Sequence, residues 1–371
     1  MDKIKRFFEC YVPVSVCNIE CSYCYVVQQK RNKMKVEELD YTPEHIAKAL
    51  RKERVGGTCW INLCGLGETT AHTDIVNLTK CLLDEGHYVS ITTNGTLSSK
   101  FDDLIEQCKT NLNHLHFAFS LHYVELLKRN WLDRFFDNVN KVRNAGASIL
   151  VQINMCDEYM PYIEDIKKLC LERIGAYPQV ALTRNEKSHP MSILTSGTVD
   201  NYIAQGAKFN SPLFDFTVKN FMVKRKEFCY AGDWAGVLNL KTGIFTKCYN
   251  DYNGVNIFEN IDAPIPFEAV GNHCNSPYCV NSSHFMSLGV IPEIETPTYA
   301  QLRNRDEANW YSNEMKQFLN GKLKNNNKQY GRFKKFKVNK LNNVTTVREF
   351  LSQFGFYKKL HELKNHTRNS K

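Results

Sequence analysis

From residue 10 to residue 184 the chain alternates short runs rich in β-branched and aromatic residues with longer runs of helical periodicity. The strand-like runs are CYVPVSV (10–16), TCWINLC (58–64), HYVSITT (87–93), HLHFAFSL (114–121), SILVQINM (148–155) and YPQVALTR (177–184). Between them stand PEHIAKALRKER (43–54), DIVNLTKCLLDEG (74–86), SKFDDLIEQCKT (99–110), VELLKRNWLDRFFDNVNKVRNAG (124–146) and YIEDIKKLCLERIG (162–175). Gly86 and Gly146 are expected to close their helices. Strands joined through helices pair in parallel, and right-handed crossovers stack the helices on one side. The rhythm therefore predicts an α/β fold around a parallel sheet, open or barrel-like. Chemistry in such sheets gathers at the carboxyl ends of the strands, so every loop that follows a strand is a site candidate.

After about residue 215 the pattern changes. WAGVLNLKTGIFTKCYN (234–250) is β-like and is followed by loops rich in Asn, Cys and Pro. Such loops bury little apolar surface, and a metal staple would explain their order. The chain then divides into a first domain (1–215), a small second module (216–295) and a helical, basic extension (296–371). In the extension TPTYAQLRNRDEANWYSNEMKQFLNG (296–321) is expected to be helical and GKLKNNNKQYGRFKKFKVNK (321–340) a basic linker. TTVREFLSQFGFYKKLHELKNH (345–366) opens on a capping box, Thr346 to Glu349, and its apolar stripe should dock on the body of the protein.

At 371 residues and 43% hydrophobic composition the chain can bury a large core. No stretch approaches the roughly 18 apolar residues of a membrane span, and the opening segment is too short and interrupted for a signal peptide. A cytoplasmic protein is expected. The net charge of +9 comes from the tail: residues 316–371 hold 15 Lys and Arg against two acids, so the rest of the chain carries −4. A basic tail can attract anionic partners, but a solvated face explains it equally, and no nucleic acid is expected. In a reducing compartment the 14 cysteines read as metal ligands where they cluster rather than as disulfides.

Cys17, Cys21 and Cys24 are spaced C-x3-C-x2-C directly after the first strand. Structural zinc takes four ligands, usually as two C-x2-C pairs. Three thiolates on a [4Fe–4S] cluster leave one iron open. With Tyr23 before the last cysteine, the loop resembles the signature of the radical S-adenosylmethionine (SAM) superfamily. CGLGETT (64–70) is similar to that family's glycine-rich segment through Gly65, Gly67 and Glu68, with Thr69 where proline is usual. Thr93 and Asn94 in TTNGT, Ser120 after the fourth strand and Arg184 after the sixth complete the similarity, which covers roughly residues 10–190. It implies a partial (β/α)6 TIM-like barrel. It also implies that SAM chelates the open iron, that one electron from a donor such as flavodoxin or ferredoxin cleaves it, and that the resulting 5′-deoxyadenosyl radical abstracts a hydrogen atom from a substrate. Tyr23, Gly65, Gly67, Glu68, Thr93, Asn94, Ser120 and Arg184 are then the expected SAM neighbours.

Cys229, Gly243, Cys248, Cys274 and Cys279 resemble the opening of the SPASM and twitch extensions of that family. Four thiolates suit one fully ligated auxiliary [4Fe–4S] cluster, and a four-cysteine zinc site is the alternative. Cys81, Cys108 and Cys170 lie within helices and are expected to be buried small hydrophobes. Cys156 and Cys64 stand at the ends of strands five and two, where a thiol could return a hydrogen atom to a substrate radical; Cys156 is the preferred candidate and Cys64 the second. His122 and Tyr123 after strand four, and Asp157 and His189, are candidates to bind substrate or move protons. The cluster motif begins at residue 17, which leaves no room ahead of the barrel for a peptide-recognition domain. This favours a small hydroxylated substrate, a sugar, aminosugar or nucleotide-linked sugar that is epimerised, dehydrated or oxidised. Modification of a peptide or protein is the alternative.

Overall fold

The computed structural model describes residues 2–251, 253–272 and 274–340. The predicted helix 345–366 lies outside the described residues. Six strands, β1 (Arg6–Val12), β2 (Cys59–Gly65), β3 (Tyr88–Thr93), β4 (Leu115–Ser120), β5 (Ser148–Asn154) and β6 (Gln179–Ala181), pair in parallel and in sequence order. Helices separate them, which gives the expected partial (β/α)6 barrel. β1 starts and ends earlier than the predicted 10–16. It is flanked by strands on both sides, and Pro13, with no N–H, cannot continue such a ladder. β6 is shorter than predicted because the N–H of Thr183 bonds to the Tyr202 hydroxyl instead of a strand, after which β7 (Arg184–Asn185) and β8 (Ser192–Ile193) form a small ribbon.

Gly86 (φ 79°) and Gly146 (φ 107°) take left-handed conformations beyond their helices, as expected. Two predicted helices are broken. The run 43–54 divides into Pro43–Ala49 and Lys52–Val55, where Arg51 and Arg54 bond to the carbonyls of Ile257, Asn260, Ile261 and Ala263. The run 124–146 divides at Asn130, which sits at φ 55°. In both cases a tertiary or turn requirement overrides helical propensity.

The strands alternate. Phe117 and Phe119 of β4 meet Phe101 and Phe135 on the surrounding helices, whereas His116 faces the barrel interior against Trp60 and Tyr311. The interior positions Glu9, Asn62, Ser90 and His116 pair laterally and are polar although buried.

The second module does not stand apart from the barrel's sheet. β9 (Ala235–Asn239) pairs in parallel with the free side of β1, and β10 (Ile244–Thr246) and β11 (Val255–Asn256) follow antiparallel, making one nine-stranded sheet. Gly243 turns the β9–β10 hairpin at φ 73°, where a Cβ would lie 2.5 Å from Asn256 Oδ1. That is a backbone reason for glycine between Cys229 and Cys248.

Residues 296–321 are helical only over Tyr299–Arg303 and Asn313–Asn320, with a 3-10 turn Asp306–Ala308 between. The Arg305 guanidinium explains the departure: it donates to the carbonyls of Tyr177, Pro178, Phe209 and Asn210 and pins the chain beneath the barrel. Tyr299 packs on Trp60, Tyr311 on His116 and Phe318 on Tyr88, so this segment forms the floor of the interior. The predicted linker 321–340 is also structured. Leu323, Tyr330 and Val338 are buried, and the Tyr330 hydroxyl donates to Asp233 (2.6 Å). No helix among the described residues is long and apolar enough to cross a membrane.

Candidate active site

A cavity of about 820 Å³ opens at the carboxyl ends of the parallel strands and continues into the barrel. Its wall includes Cys17, Cys21, Cys24 and Tyr23, Gly65, Gly67 and Glu68, Thr93, Asn94, Ser120, His122 and Arg184. Every residue expected to hold the first cluster or neighbour SAM thus reaches one space.

The three loops are latched together by hydrogen bonds. Asn94 Nδ2, at the end of β3, donates to Asn18 Oδ1 (2.8 Å) and stands 3.7 Å from Cys17 Sγ; Asn18 in turn donates to Thr96 Oγ1 (2.8 Å). The Tyr23 hydroxyl lies 2.7 Å from His122 Nδ1 and 2.6 Å from the Tyr159 hydroxyl, and Cys21 Sγ lies 3.2 Å from the same histidine nitrogen. His122 therefore braces the cysteine loop as well as lining the cavity, and burial pushes its pKa down to about 4, so it is neutral at pH 7. Cys17 and Cys21 are held toward the thiol form by burial, and the charges of their neighbouring cysteines act in the same direction.

Glu68 is fully buried. Its Oε1 accepts from Thr70 N (3.0 Å), Thr70 Oγ1 (2.5 Å) and Thr93 Oγ1 (2.6 Å), and its Oε2 from Asn94 N (2.7 Å). The carboxylate is committed to the chain itself, tying the loop after β2 to the end of β3. The glycines before it are required for a similar reason. A Cβ on Gly67 would lie 2.1 Å from Val16 O, and one on Gly65 would lie 2.4 Å from Val14 Cγ1. The close approach that excludes a side chain is that of residues 14–16, which lead into the cysteine loop. Arg184 lines the cavity but pairs with Glu186 (3.1 Å) and donates to Val280 O (3.2 Å), bridging toward the second module.

The four cysteines of that module lie near enough for their charges to act on one another. Cys229, Cys248 and Cys279 are held toward the thiol form first by burial and then by the charges of one another and of Cys274. For Cys248 the pKa rises to about 11. Tyr278, Val280 and Asn281, beside Cys279, form part of the cavity wall. All 14 cysteines are free. Among the described residues no three Cys, His, Asp or Glu side chains close around one point as a single ion requires.

The hydrogen-donor candidates change places. Cys64 lines the cavity, with its thiol 3.1 Å from Glu9 Oε1. Cys156 is buried and is not among the lining residues, because β5 ends at Asn154 and the chain turns into a 3-10 helix, Asp157–Tyr162. Tyr123 is likewise buried away from the cavity, against Tyr162. Asp157 accepts from Thr195 and Ser196, and His189 is exposed. Cys108 and Cys170 are buried as expected, but Cys81 is half-buried.

The sequence reading missed the deep end of the cavity: Glu9, Asn62, Tyr249, Asn281, His284 and Arg303. Glu9 was the recoverable one, a lone acid inside the apolar run RFFECYV. Asn62 Nδ2 donates to its Oε1 (3.0 Å), and burial raises its pKa against the opposing pull of Cys64, Asn62, Tyr249 and the Arg303 charge.

Residues 11–170 match the radical SAM superfamily. No curated protein matches the chain. Among solved structures, Streptococcus suis SuiB bound to S-adenosylmethionine is 16% identical, with 70% of this chain and 65% of that chain covered and a TM-score of 0.48. The chain thus spans about two thirds of SuiB's length. The anSMEcpe structure with bound AdoMet and Cp18Cys peptide is 14% identical, over 69% of this chain and 78% of that one, with a TM-score of 0.47. BtrN in complex with AdoMet and 2-DOIA is 13% identical, over 86% and 89%, with a TM-score of 0.35.

Proposed function

We propose, from the premise that residues 11–170 are a radical SAM domain, that this enzyme abstracts a hydrogen atom from a small hydroxylated substrate, a sugar, aminosugar or nucleotide-linked sugar. The observation that carries the proposal is the lining of this cavity. Beyond the cysteine, glycine and TTNGT loops its wall includes Tyr11, Asn62, Gln152, Asn154, Tyr249 and Asn281 beside the charged Glu9 and Arg303. Amides and phenols of this kind donate to and accept from hydroxyl groups without demanding a charge.

Cys17, Cys21 and Cys24 would hold a [4Fe–4S] cluster, and Cys229, Cys248, Cys274 and Cys279 an auxiliary one. When bound, the first cluster supplies the electron that cleaves SAM into methionine and a hydrogen-abstracting 5′-deoxyadenosyl radical. The chain's own part is positional. Glu68 orders Thr93 and Asn94, Asn94 holds the cysteine loop through Asn18, and His122 braces Tyr23. Cys64, on the cavity wall, is the thiol that would give its hydrogen atom to the substrate radical, the thiyl radical left behind taking up one proton and one electron from the external donor.

The test is isotope transfer. Reconstituted enzyme with SAM and reductant, given ring-deuterated hexoses, hexosamines and their nucleotide-linked forms, should move deuterium into 5′-deoxyadenosine from one ring position. Transfer from none of them, but from a deuterated peptide, would replace this reading by peptide modification.

A further inference from the structure

At the deep end of the cavity two buried polar atoms face each other without a hydrogen bond. Glu9 is 5% exposed, and while its Oε1 is occupied by Asn62 and Cys64, its Oε2 has no hydrogen-bond partner among the described residues. His284 Nδ1, 3.6 Å away, has none either. Native folds rarely leave such groups unpaired, because each unmade bond forfeits what water would have supplied. The Tyr249 hydroxyl, which accepts from Asn281 Nδ2 (2.6 Å), lies near enough to the Glu9 carboxyl to favour its ionised form. The rest of the surroundings are fixed. His284 packs against Phe7 and edge-on against Tyr299, and Arg303 lies over the Tyr299 ring (3.7 Å to its centroid) and donates to Ser283 O (3.0 Å). Neither ring nor strand can turn to satisfy the other without losing this packing.

A hydroxyl meets these requirements, because it donates through its hydrogen and accepts through its oxygen. We infer that Glu9 Oε2 and His284 Nδ1 together form the seat for one hydroxyl group of the substrate, on the carbon skeleton that Cys64, bonded to the other Glu9 oxygen, then faces. The inference rests on the hydroxylated-substrate reading above and assigns its anchoring residues. Glu9 comes from the barrel and His284 from the segment after the four-cysteine module, so the seat exists only where β1 and the helix Ser282–Phe285 meet.

Equilibrium dialysis of cluster-loaded protein, without SAM so that nothing turns over, tests this with radiolabelled D-glucose, D-glucosamine and myo-inositol. Glu9→Gln keeps the shape of the side chain and an acceptor for Asn62 but puts an amide where Oε2 stood. His284→Phe keeps the ring packing and removes Nδ1. Glu9→Gln should weaken the best probe at least tenfold, the loss expected for a hydrogen bond to a charged group, and His284→Phe by about three- to tenfold, that of a neutral one. The double variant should bind no more than slightly worse than the poorer single variant, because both act on one hydroxyl. On wild-type protein one deoxy analogue of that probe should show the same loss, and on Glu9→Gln that analogue and its parent should bind alike. Probes that bind both variants as they bind wild type would overturn the seat and leave the hydroxylated-substrate reading standing. Failure of every probe to bind wild type would overturn both. Iron content and circular dichroism report whether each variant folds, and the deoxy series on wild type decides the matter if neither does.

Discussion

Replacing Glu68 by Gln separates a residue that organises the chain from one that only touches a ligand. Its carboxylate takes four hydrogen bonds from Thr70, Thr93 and Asn94, three at Oε1 and one at Oε2. Gln supplies one oxygen and one amide nitrogen. With the oxygen kept toward the three donors, the nitrogen faces the N–H of Asn94 across a 2.7 Å contact, donor against donor. One hydrogen bond to a charged group is lost, worth about 1.5–3 kcal/mol, and the other three weaken as the charge disappears. Burial already disfavours the charged form of Glu68, which offsets part of that loss. The net expectation is a stability loss of about 2 kcal/mol, read as a lower guanidinium midpoint. Because Asn94 also holds Asn18 beside Cys17, the variant should release iron to a chelator faster than wild type. Thr93→Val should couple to it, so that the double variant loses less than the sum. An unchanged midpoint and unchanged iron release, with only SAM affinity altered, would refute the argument that this carboxylate works through the chain.

Gly67→Ala should destabilise the protein by about 3 kcal/mol or more, because its Cβ would meet a backbone carbonyl at 2.1 Å; wild-type melting behaviour would show that residues 14–16 can move aside. His87 accepts from Cys59 N at Nδ1 (3.1 Å) and donates to Leu50 O from Nε2 (2.8 Å), and burial lowers its pKa to about 4. The unfolded chain binds this proton first, so stability should fall as pH drops from about 6.5 to about 4, by about 3 kcal/mol in all. Denaturant titrations should show the deficit of His87→Asn shrinking across that window, and parallel curves for the two proteins would contradict it. Changing Cys229, Cys248, Cys274 and Cys279 together to Ala should lower reconstituted iron from about eight to about four per chain; an unchanged iron content would remove the auxiliary cluster.

The parallel barrel and the first cluster loop were legible in the sequence because both are local. Strand and helix periods recur over ten or so residues, and C-x3-C-x2-C with its aromatic needs no partner to be recognised. The crossover rule left the sheet open or barrel-like, and the partial barrel was implied only by the resemblance. What failed were boundaries and reach. β1 began at Arg6 and so took in Glu9, and the end of β5 at Asn154 took Cys156 away from the cavity that Cys64 reaches.

The sequence by itself determined the fold class, the three-thiol loop and the glycine segment, since backbone period and short-range spacing carry their own physical meaning. Only the tertiary structure decided what the site consists of. That β9 extends the barrel's sheet beside β1, that residues 296–321 floor the interior, and that Glu9 faces His284 are contacts between segments far apart in the chain. No period or spacing encodes such a meeting, because it arises from how the packed elements share the space left inside the barrel.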